Sequence, residues 1–529
     1  MKENKLLQSK ISLYLTEFVA GVSVMAVELG ASRLLAPYFS SSQIVWTIII
    51  GTIMIAMALG NIYGGRAADK DPDPGKLFAR LIIAAVWIGL IPLVGKYVII
   101  VVSGLLVLAI DTNYLIIAAF VSCMLIFVFP LFLLGTVTPS LVKYTMGSME
   151  DSGRTVGKLE AFNTIGSIIG TFLPTFVTIP SVGTSVTFLI FAGVLLLLGI
   201  VYFIFAGKRK LLCGVSAAVL IVSAVFGHSD SFAFWEDNLL YEGESIYNYL
   251  QVKETDSSVA LSTNVLFGVQ SVAMKDGGLT GMYYDAALAA PLMCAEKESP
   301  EILVLGMGSG TFSTLCSKYY PGSKITGVEI DEKITKLAHE YFGLPESVGI
   351  TTYDGRAYLS ADRKKYDVIM VDAYQDITIP FQMSSVEFFT LVREHLNPGG
   401  VMVVNLNMAN GGEGSINAYL CDTISSVFDY VRVTDVSGTT NRELFASVSE
   451  PEITLPSYTG DGAYEWRMND VVGSLKEYDA GNLIFTDDRA PVELLGIKLI
   501  DSLITDELAY YRNIFKEKGL GGLINQLVG

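Results

Sequence analysis

Glycines and an acid in the second half of the chain have the spacing of a nucleoside-binding site. The apolar run EILVLG ends in Gly306-x-Gly308-x-Gly310, and Glu329 follows about 23 residues after Gly306. Glycines let a ligand approach the backbone, and an acid about 20 residues beyond such a loop can accept hydrogen bonds from a ribose diol. The loop lacks the third glycine placement of dinucleotide sites, so a nucleoside without a pyrophosphate fits better than NAD.

Further acids follow the next strand-like runs of this half. Asp354 and Gly355 come after GITTY, and Asp372 comes after YDVIMV. In an open α/β sheet the carboxyl ends of parallel strands face one crevice, so Glu329, Asp354 and Asp372 are expected to converge there. The alternative is that Asp354 and Asp372 only cap the helices that follow them. Together with the glycine loop, the three acids favour a nucleoside site.

The elements that would position these side chains alternate along the chain. After Pro300, the runs EILVLG, KITGVEI, GITTYD, YDVIMVDAY and VMVVNLN are separated by helix-length amphipathic segments. This alternation predicts a parallel, doubly wound sheet. We therefore predict a Rossmann-like domain at 297–510, preceded by a small antiparallel β subdomain at 240–296 and followed by an amphipathic tail at 511–529.

Long apolar runs fill residues 1–228 and predict a polytopic helical membrane domain. About 20 apolar residues suffice to cross a bilayer as a helix. Six runs have that character, at 13–38, 45–63, 77–93, 114–134, 162–179 and 184–206, and two shorter ones lie at 98–110 and 211–226. The sequence thus predicts six to eight spans. Small residues at helix-contact spacing support close packing between them, namely Gly60 with Gly64 and Gly166 with Gly170.

Charge differs sharply between the two parts. The first 226 residues carry a net charge of about +5 and the rest about −22. So acidic a surface should repel nucleic acid and attract a diffusing polycation. The five cysteines and three histidines show no metal-ligand spacing, so no metal is predicted.

The membrane side depends on the two short apolar runs. Basic residues flank the runs near residues 2–10, 66–80, 143–158 and 208–210, and basic loops favour the cytoplasm. If 98–110 does not cross and 211–226 does, the soluble half lies outside. If both or neither cross, it is cytoplasmic. Because nucleoside cofactors are supplied inside cells, we expect a multi-pass plasma-membrane protein with a cytoplasmic soluble half.

Motifs in both halves resemble one protein family. In the second half these are VEIDE at 328–332, YDGRAYL at 353–359, YDVIMVDAY at 366–374 and FTDDRAPVE at 485–493. In the first half they are ELGASRLLAPYF at 28–39 and FLLGTVTP at 132–139. The chain resembles the spermidine synthases, and more closely the membrane-fused spermidine synthase-like proteins, over essentially its whole length. The resemblance implies a soluble fold of the S-adenosylmethionine methyltransferase type.

The resemblance also implies roles for the residues at the strand ends. In that family the glycine loop and the Glu329 position hold decarboxylated S-adenosylmethionine, and the position of Asp354 and Gly355 meets the adenine. Gln270 is assigned to the same cofactor site. A D-x-x-D motif after the fourth strand, beginning here at Asp372, positions and deprotonates the attacking amine. A base is required because an ammonium is not a nucleophile.

Two positions depart from the family pattern. Ser309 stands where the family loop has an acid that pairs with the aminopropyl ammonium. The second acid of D-x-x-D falls at Gln375, and the nearest carboxylate is Asp376. We therefore assign catalysis to a set that combines the retained acid with its neighbours, namely Asp372, Tyr374 and Asp376. The substrate-binding set is Tyr247, Tyr283 and Gln375, and Ser309 joins the cofactor loop.

Aminopropyl transfer from decarboxylated S-adenosylmethionine to a di- or polyamine is the function that the resemblance implies. Ser309 favours an alternative, in which S-adenosylmethionine itself is used for methyl transfer or cleavage. A third reading is a transporter or sensor that binds a polyamine or nucleoside without turnover, for which the intramembrane Glu28 is the best indication. The expected partners are a small amine and the lipid bilayer, with no nucleic acid, and a homo-oligomer is left open.

Overall fold

The computed structural model describes residues 10–107, 109–110, 112–145, 152–265, 269–294, 299–373, 380–407, 412, 414–455, 460–496, 509–510, 512–514 and 516–519. The chain forms two compact units. The first contains residues 1–235, 242–249 and 504–529, and the second contains residues 236–241 and 250–503.

The first unit is helical. Its elements are α1 (Lys10–Phe39), α2 (Gln43–Lys70), α3 (Pro74–Val107), α4 (Tyr114–Gly135), α5 (Val137–Thr145), α6 (Ser152–Leu173), a π turn (Pro174–Thr178), α7 (Ile179–Ala206) and α8 (Lys210–Phe226). Five described stretches are long and apolar enough to cross a membrane: Lys10–Phe39, Gln43–Lys70, Pro74–Val107, Tyr114–Thr145 and Gly153–Ala206. The 17-residue α8 is shorter.

The structure corrects one expectation about these helices. Residues 98–107 do not form a separate short helix, because α3 continues through them without a break. Lys96 interrupts the apolar run, but its ammonium points away from the helix and donates to the carbonyl of Ser231 at 2.7 Å. The charge therefore marks a contact on the side of α3 and not a turn between two helices.

The stretch Gly153–Ala206 is too long for a single crossing. Its 54 residues would extend over about 80 Å of helix, against a hydrocarbon core of about 30 Å. The backbone breaks at Gly183, where φ is 81° and ψ is 172°. That break falls between the runs predicted at 162–179 and 184–206.

Close helix contacts occur at the glycines that the sequence singled out. A Cβ atom on Gly166 would stand 2.2 Å from the carbonyl oxygen of Phe18 in α1, and one on Gly60 would stand 2.2 Å from that of Phe132 in α4. Neither position tolerates a side chain without moving the neighbouring helix. The small-residue spacing thus serves packing of α6 on α1 and of α2 on α4, as predicted.

A small antiparallel sheet follows the helices. It contains β1 (Leu239–Glu244), β2 (Tyr249–Glu254), β3 (Ser258–Ser262) and β4 (Ser271–Met274), in the order β1-β2-β3-β4. The short helix α9 (Tyr283–Ala287) and a 3-10 turn (Ala290–Met293) lead into the larger sheet. The predicted β-rich subdomain is therefore present.

The larger part of the second unit alternates strands and helices as predicted. In chain order these are β5 (Glu301–Leu305), α10 (Thr311–Tyr319), β6 (Lys324–Glu329), α11 (Glu332–Tyr341), β7 (Gly349–Thr352), α12 (Gly355–Ala361), β8 (Tyr366–Val371), α13 (Val386–Glu394) and β9 (Leu396–Asn407). They are followed by α14 (Ile416–Ser425), β10 (Tyr430–Asp435), β11 (Asn441–Ser447), α15 (Gly462–Ser474) and β12 (Lys476–Glu477).

The eight strands lie in the order β12-β10-β11-β9-β8-β5-β6-β7. Strands β5 to β9 are parallel, whereas β10, β11 and β12 pair antiparallel at one edge. The fold is thus Rossmann-like, of the methyltransferase type with an antiparallel edge. The direction of strand addition reverses between β5 and β8, which is where such sheets bind ligands, beyond the carboxyl ends of the strands.

Candidate functional site

The glycine loop follows β5 at the point where the strand order reverses. Gly306, Gly308 and Gly310 all have positive φ, at 79°, 57° and 78°. A Cβ on Gly306 would stand 2.4 Å from the Cα of Ala373, which follows β8. The loop is therefore a tight turn closed against the end of β8, and α10 begins directly after it.

Glu329 ends β6 beside this loop. Its carboxylate accepts hydrogen bonds from the backbone N–H of Gly308 at 2.9 Å and of Asp331 at 3.0 Å. Burial raises the pKa of Glu329, and these two amide donors oppose the rise. A carboxylate has about four acceptor positions, so two remain for hydroxyl donors such as those of a ribose.

Asp372 follows β8 and is held by two side chains from different elements. Its Oδ2 accepts a hydrogen bond from the hydroxyl of Tyr283 in α9 at 2.7 Å, and its Oδ1 accepts one from the side-chain amide of Asn405 in β9 at 3.1 Å. Its backbone N–H donates to Leu305, the last residue of β5. The structure therefore brings the predicted Asp372 and Tyr283 together next to the glycine loop.

The surroundings of Asp372 change its proton affinity. Desolvation raises its pKa to about 7, and the neighbouring Glu329 adds to the rise, while the hydrogen bonds from Tyr283 and Asn405 partly offset it. The phenol of Tyr283 has a pKa well above its ordinary value, chiefly because it is buried and also because it faces Asp372. Tyr283 is thus a donor that stays protonated, and Asp372 is a carboxyl that can exchange a proton near neutral pH.

Strand β4 fastens the glycine loop from the other side. The N–H of Ser309 donates to the hydroxyl of Ser271 at 3.4 Å, and the Ser309 hydroxyl lies 3.0 Å from that of Thr311. Ser309 is almost completely buried. The side chain of Ser309 therefore braces the turn. The neighbouring Gln270 contributes its backbone carbonyl, which accepts from the hydroxyl of Tyr284 at 2.8 Å.

Asp354 and Gly355 lie at the end of β7, two strands from β5. The carboxylate of Asp354 accepts from the N–H of Ala357 at 2.8 Å and so caps α12, which is the alternative that its sequence position left open. The next residue, Arg356, donates both terminal nitrogens to Asp487 at 2.7 and 2.6 Å. Capping leaves the second oxygen of Asp354 able to accept from a ligand.

The remaining predicted catalytic and substrate-binding residues are Tyr247, Tyr374, Gln375 and Asp376. Tyr247 belongs to the first unit and is largely exposed, whereas the residues around Asp372 belong to the second. Tyr374, Gln375 and Asp376 lie outside the described residues. Of the catalytic and substrate-binding residues predicted from the sequence, the described structure thus brings Asp372 and Tyr283 into contact.

Three polar residues at the site were missed in the sequence. Asn405 in β9 contacts Asp372, and the side-chain amide of Asn441 in β11 donates to the carbonyl oxygen of Asn405 at 2.8 Å. Glu443, also in β11, is completely buried. The available signal was that Asn441 and Glu443 are separated by one residue in a strand, which places both on the same face of the sheet.

Comparison with known proteins identifies relatives of this chain. The spermine/spermidine synthase domain matches residues 282–436. A "probable polyamine aminopropyl transferase" of Bifidobacterium longum is 55% identical over 346 residues, which cover 61% of this chain and 77% of the relative. A polyamine aminopropyltransferase of Vibrio vulnificus is 26% identical over 199 residues, covering 36% of this chain and 67% of the relative.

Solved structures resemble part of the chain weakly. A probable spermidine synthase from Corynebacterium glutamicum is 21% identical with a TM-score of 0.37, covering 45% of this chain and 89% of that one. The spermidine synthase of Thermotoga maritima is 15% identical with a TM-score of 0.35, covering 45% and 88%. At these scores the strand order of the present chain, and not the superposition, carries the assignment of the fold.

Proposed function

The chain belongs to the spermidine synthase family of polyamine aminopropyltransferases, and we propose that it transfers the aminopropyl group of decarboxylated S-adenosylmethionine to a di- or polyamine. Family membership makes it a transferase. The single observation that best supports this reaction is the placement of Asp372, which is held by Tyr283 and Asn405 next to the glycine loop.

Asp372 supplies what the reaction needs from a base. The amine nitrogen attacks the carbon of the aminopropyl group that is bonded to the sulfonium. The carbon–sulfur bond breaks, methylthioadenosine leaves, and the proton of the amine passes to the carboxylate of Asp372. A pKa of about 7 lets this carboxylate accept a proton near neutral pH and release it again.

The donor nucleoside fits the opposite side of the crevice. The positive φ angles of the glycine loop let a ligand approach the backbone, and Glu329 retains acceptor positions for ribose hydroxyls. Asp354 with Gly355 at the end of β7 is the proposed adenine contact. Tyr374, Gln375 and Asp376 are proposed to complete the amine side of the site, as in the D-x-x-D motif of the family.

One observation favours a second function. The Ser309 side chain brings no charge to the loop, so it leaves the donor's aminopropyl ammonium without the acid found in the related loops. A donor that keeps its carboxylate would bring its own negative charge. S-adenosylmethionine, used for methyl transfer, is therefore the second candidate.

We also propose that the first unit is embedded in a membrane. The five long apolar stretches support this, because each is long enough and apolar enough to cross a bilayer. Because α3 continues through 98–107, residues 98–110 do not count as a separate crossing. The side of the membrane on which the active site lies then depends on whether α8 crosses. If α8 crosses the membrane, residue 227 lies on the side opposite to the basic ends of the helices, which are expected to be cytoplasmic. A cytoplasmic active site therefore requires that α8 does not cross. A reporter fused after Gly227 decides between the two.

Product analysis tests the proposed reaction. The purified full-length protein is incubated with decarboxylated S-adenosylmethionine and 1,4-diaminobutane, and in parallel with S-adenosylmethionine and the same amine. We expect methylthioadenosine and a lengthened polyamine from the first mixture only. S-adenosylhomocysteine from the second mixture would support methyl transfer, and no product with any amine would remove the aminopropyl proposal.

A further inference from the structure

Glu443 lies on the same face of the sheet as the side chains that hold Asp372. In the antiparallel pair β11–β9, Glu443 stands directly opposite Asn405. Residues directly opposite each other in such a pair point to the same face, with Cβ atoms about 5 Å apart. Because Asn405 contacts Asp372, the carboxyl of Glu443 is directed toward the same site.

The carboxyl of Glu443 has been left without a partner in a buried position. Glu443 has no exposed surface, and neither of its oxygens has a hydrogen-bond partner among the residues that the structure describes. By contrast, the neighbouring amide of Asn441 is used to hold Asn405. Leaving a buried polar group unpaired costs about 1–3 kcal/mol, and more for a charged group, so such a group needs an explanation.

Acidic side chains cluster around this position. Burial raises the pKa of Glu443 well above its ordinary value, and the charge of Asp372 raises it further. Asp372 in turn is affected by Glu329. Neither Asp372 nor Glu443 forms an ion pair with a described lysine or arginine. A dense group of acids without a cation is suited to a ligand that brings more than one positive charge.

We propose that Glu443 binds the second, non-reacting ammonium of the amine acceptor, while Asp372 receives the reacting amine. This inference rests on the proposed aminopropyl transfer and deepens it, because it makes acceptors with at least two amino groups bind more tightly than those with one. Glu443 then takes the charge-pairing role that the second acid of D-x-x-D cannot fill at Gln375. Binding of the acceptor supplies the cation and the N–H donors that the buried carboxyl lacks.

A comparison of diamine and monoamine acceptors tests the proposal. Steady-state kinetics are measured for the full-length protein, E443Q and the control E477Q, which alters an exposed glutamate in β12 of the same sheet. The acceptors are 1,4-diaminobutane and 1-aminobutane, which differ in the second amino group. Removal of the pairing charge is expected to raise KM for the diamine about 10- to 100-fold.

The monoamine separates a binding role from a general defect. We expect KM for 1-aminobutane and kcat to change by less than about threefold in E443Q, and E477Q to match the unaltered protein for both amines. An equal loss for the two acceptors would mean that Glu443 only maintains the structure and would overturn the proposal. So would an unchanged KM for the diamine.

Direct binding distinguishes failure of this inference from failure of the proposed reaction. If the unaltered protein forms no product with any amine, calorimetric titration with 1,4-diaminobutane is compared between it and E443Q. Weaker diamine binding by E443Q sustains the assignment of Glu443 although the reaction is wrong. Equal affinities, or no binding to either protein, would refute it.

Discussion

The two units bury acidic side chains in different ways. In the first unit, Glu244 accepts hydrogen bonds from both the N–H and the hydroxyl of Thr184 at 2.9 Å, and Asp230 accepts from the N–H of Ser185 at 2.7 Å. These acids secure the chain where α7 resumes after its break. In the second unit, Asp372 is held by two side chains and Glu443 by none of the described residues.

The difference lies in the hydrogen-bond donors around each acid. Asp422, in the second unit, accepts from the hydroxyl of Tyr478 and from the N–H groups of Gly481 and Leu483 at 2.8 to 2.9 Å. Asp422 therefore holds the chain in place, as Glu244 and Asp230 do in the first unit. Asp422, Glu244 and Asp230 thus use backbone donors to hold the chain in place. Asp372 and Glu443 accept from no backbone donor among the described residues and remain available to a cationic ligand.

The largest expected effect on activity comes from substitution of Asp372, one of the acids that remain available to a ligand. Replacement D372N removes the base but keeps the size of the side chain. Loss of a general base reduces turnover by about 10²- to 10⁴-fold, and we expect kcat to fall within that range. Formation of methylthioadenosine measures it, with the exposed D479N as the control. If D372N retained more than a tenth of the activity, a residue other than Asp372 would have to be the base.

The pH dependence of the reaction sharpens the role of Asp372. A carboxyl with a pKa of about 7 is protonated below that pH and cannot accept a proton from the amine. We expect kcat/KM to rise about tenfold per pH unit below pH 7 from this group alone and to level off above it. Measurements between pH 5.5 and 9 at saturating donor would show this limb. If the pH dependence of kcat/KM is the same in Y283F and N405A as in the unaltered protein, these two partners do not influence the pKa of Asp372.

Substitution of a structural acid should lower stability without altering acceptor binding. Replacement D422A leaves the N–H groups of Gly481 and Leu483 and the hydroxyl of Tyr478 without their acceptor. We expect the free energy of unfolding to fall by about 1–3 kcal/mol while KM for the diamine is unchanged at low temperature. Thermal unfolding and steady-state kinetics of the same preparation measure both quantities. A rise of KM for the diamine in D422A without loss of stability would mean that Asp422 binds the acceptor, and structural and ligand-binding acids could then not be told apart by their donors.

The smallest effect concerns the stability cost of Glu443. Its pKa is raised in the folded protein, so its contribution to stability is full below the unfolded value near 4.5 and is lost as pH rises through the folded value. Replacement E443Q removes this loss. We therefore expect E443Q to be more stable than the unaltered protein by about 1 kcal/mol at pH 8 and equal to it near pH 4.5. A stability deficit at pH 8 would indicate that the carboxyl has a structural partner.

Much of the site could be predicted because strand ends are visible in the sequence. Gly306 and Asp372 each follow an apolar run, and parallel strands bring such positions together whatever the details of packing. Glu443 could not be identified in this way, because it lies within an antiparallel strand whose register depends on the turn before it. Asn405, also inside a strand, was missed for the same reason.

The helical unit shows a different limit of prediction. The apolar runs at 77–93 and 98–110 were predicted separately, although α3 continues from the first into the second and the side chain of Lys96 between them contacts Ser231. Hydropathy records composition but not backbone continuity, so it separated residues 77–93 from 98–110. The backbone break at Gly183 falls between the two runs that hydropathy separated, at 162–179 and 184–206.

A structure of the full-length chain with methylthioadenosine and 1,4-diaminobutane tests the central claim most directly. The account predicts one amine nitrogen within about 3 Å of the Asp372 carboxylate and the other at the same distance from Glu443. A diamine bound against Asp422, Glu244 or another donor-supplied acid, with Glu443 still unpartnered, would contradict it.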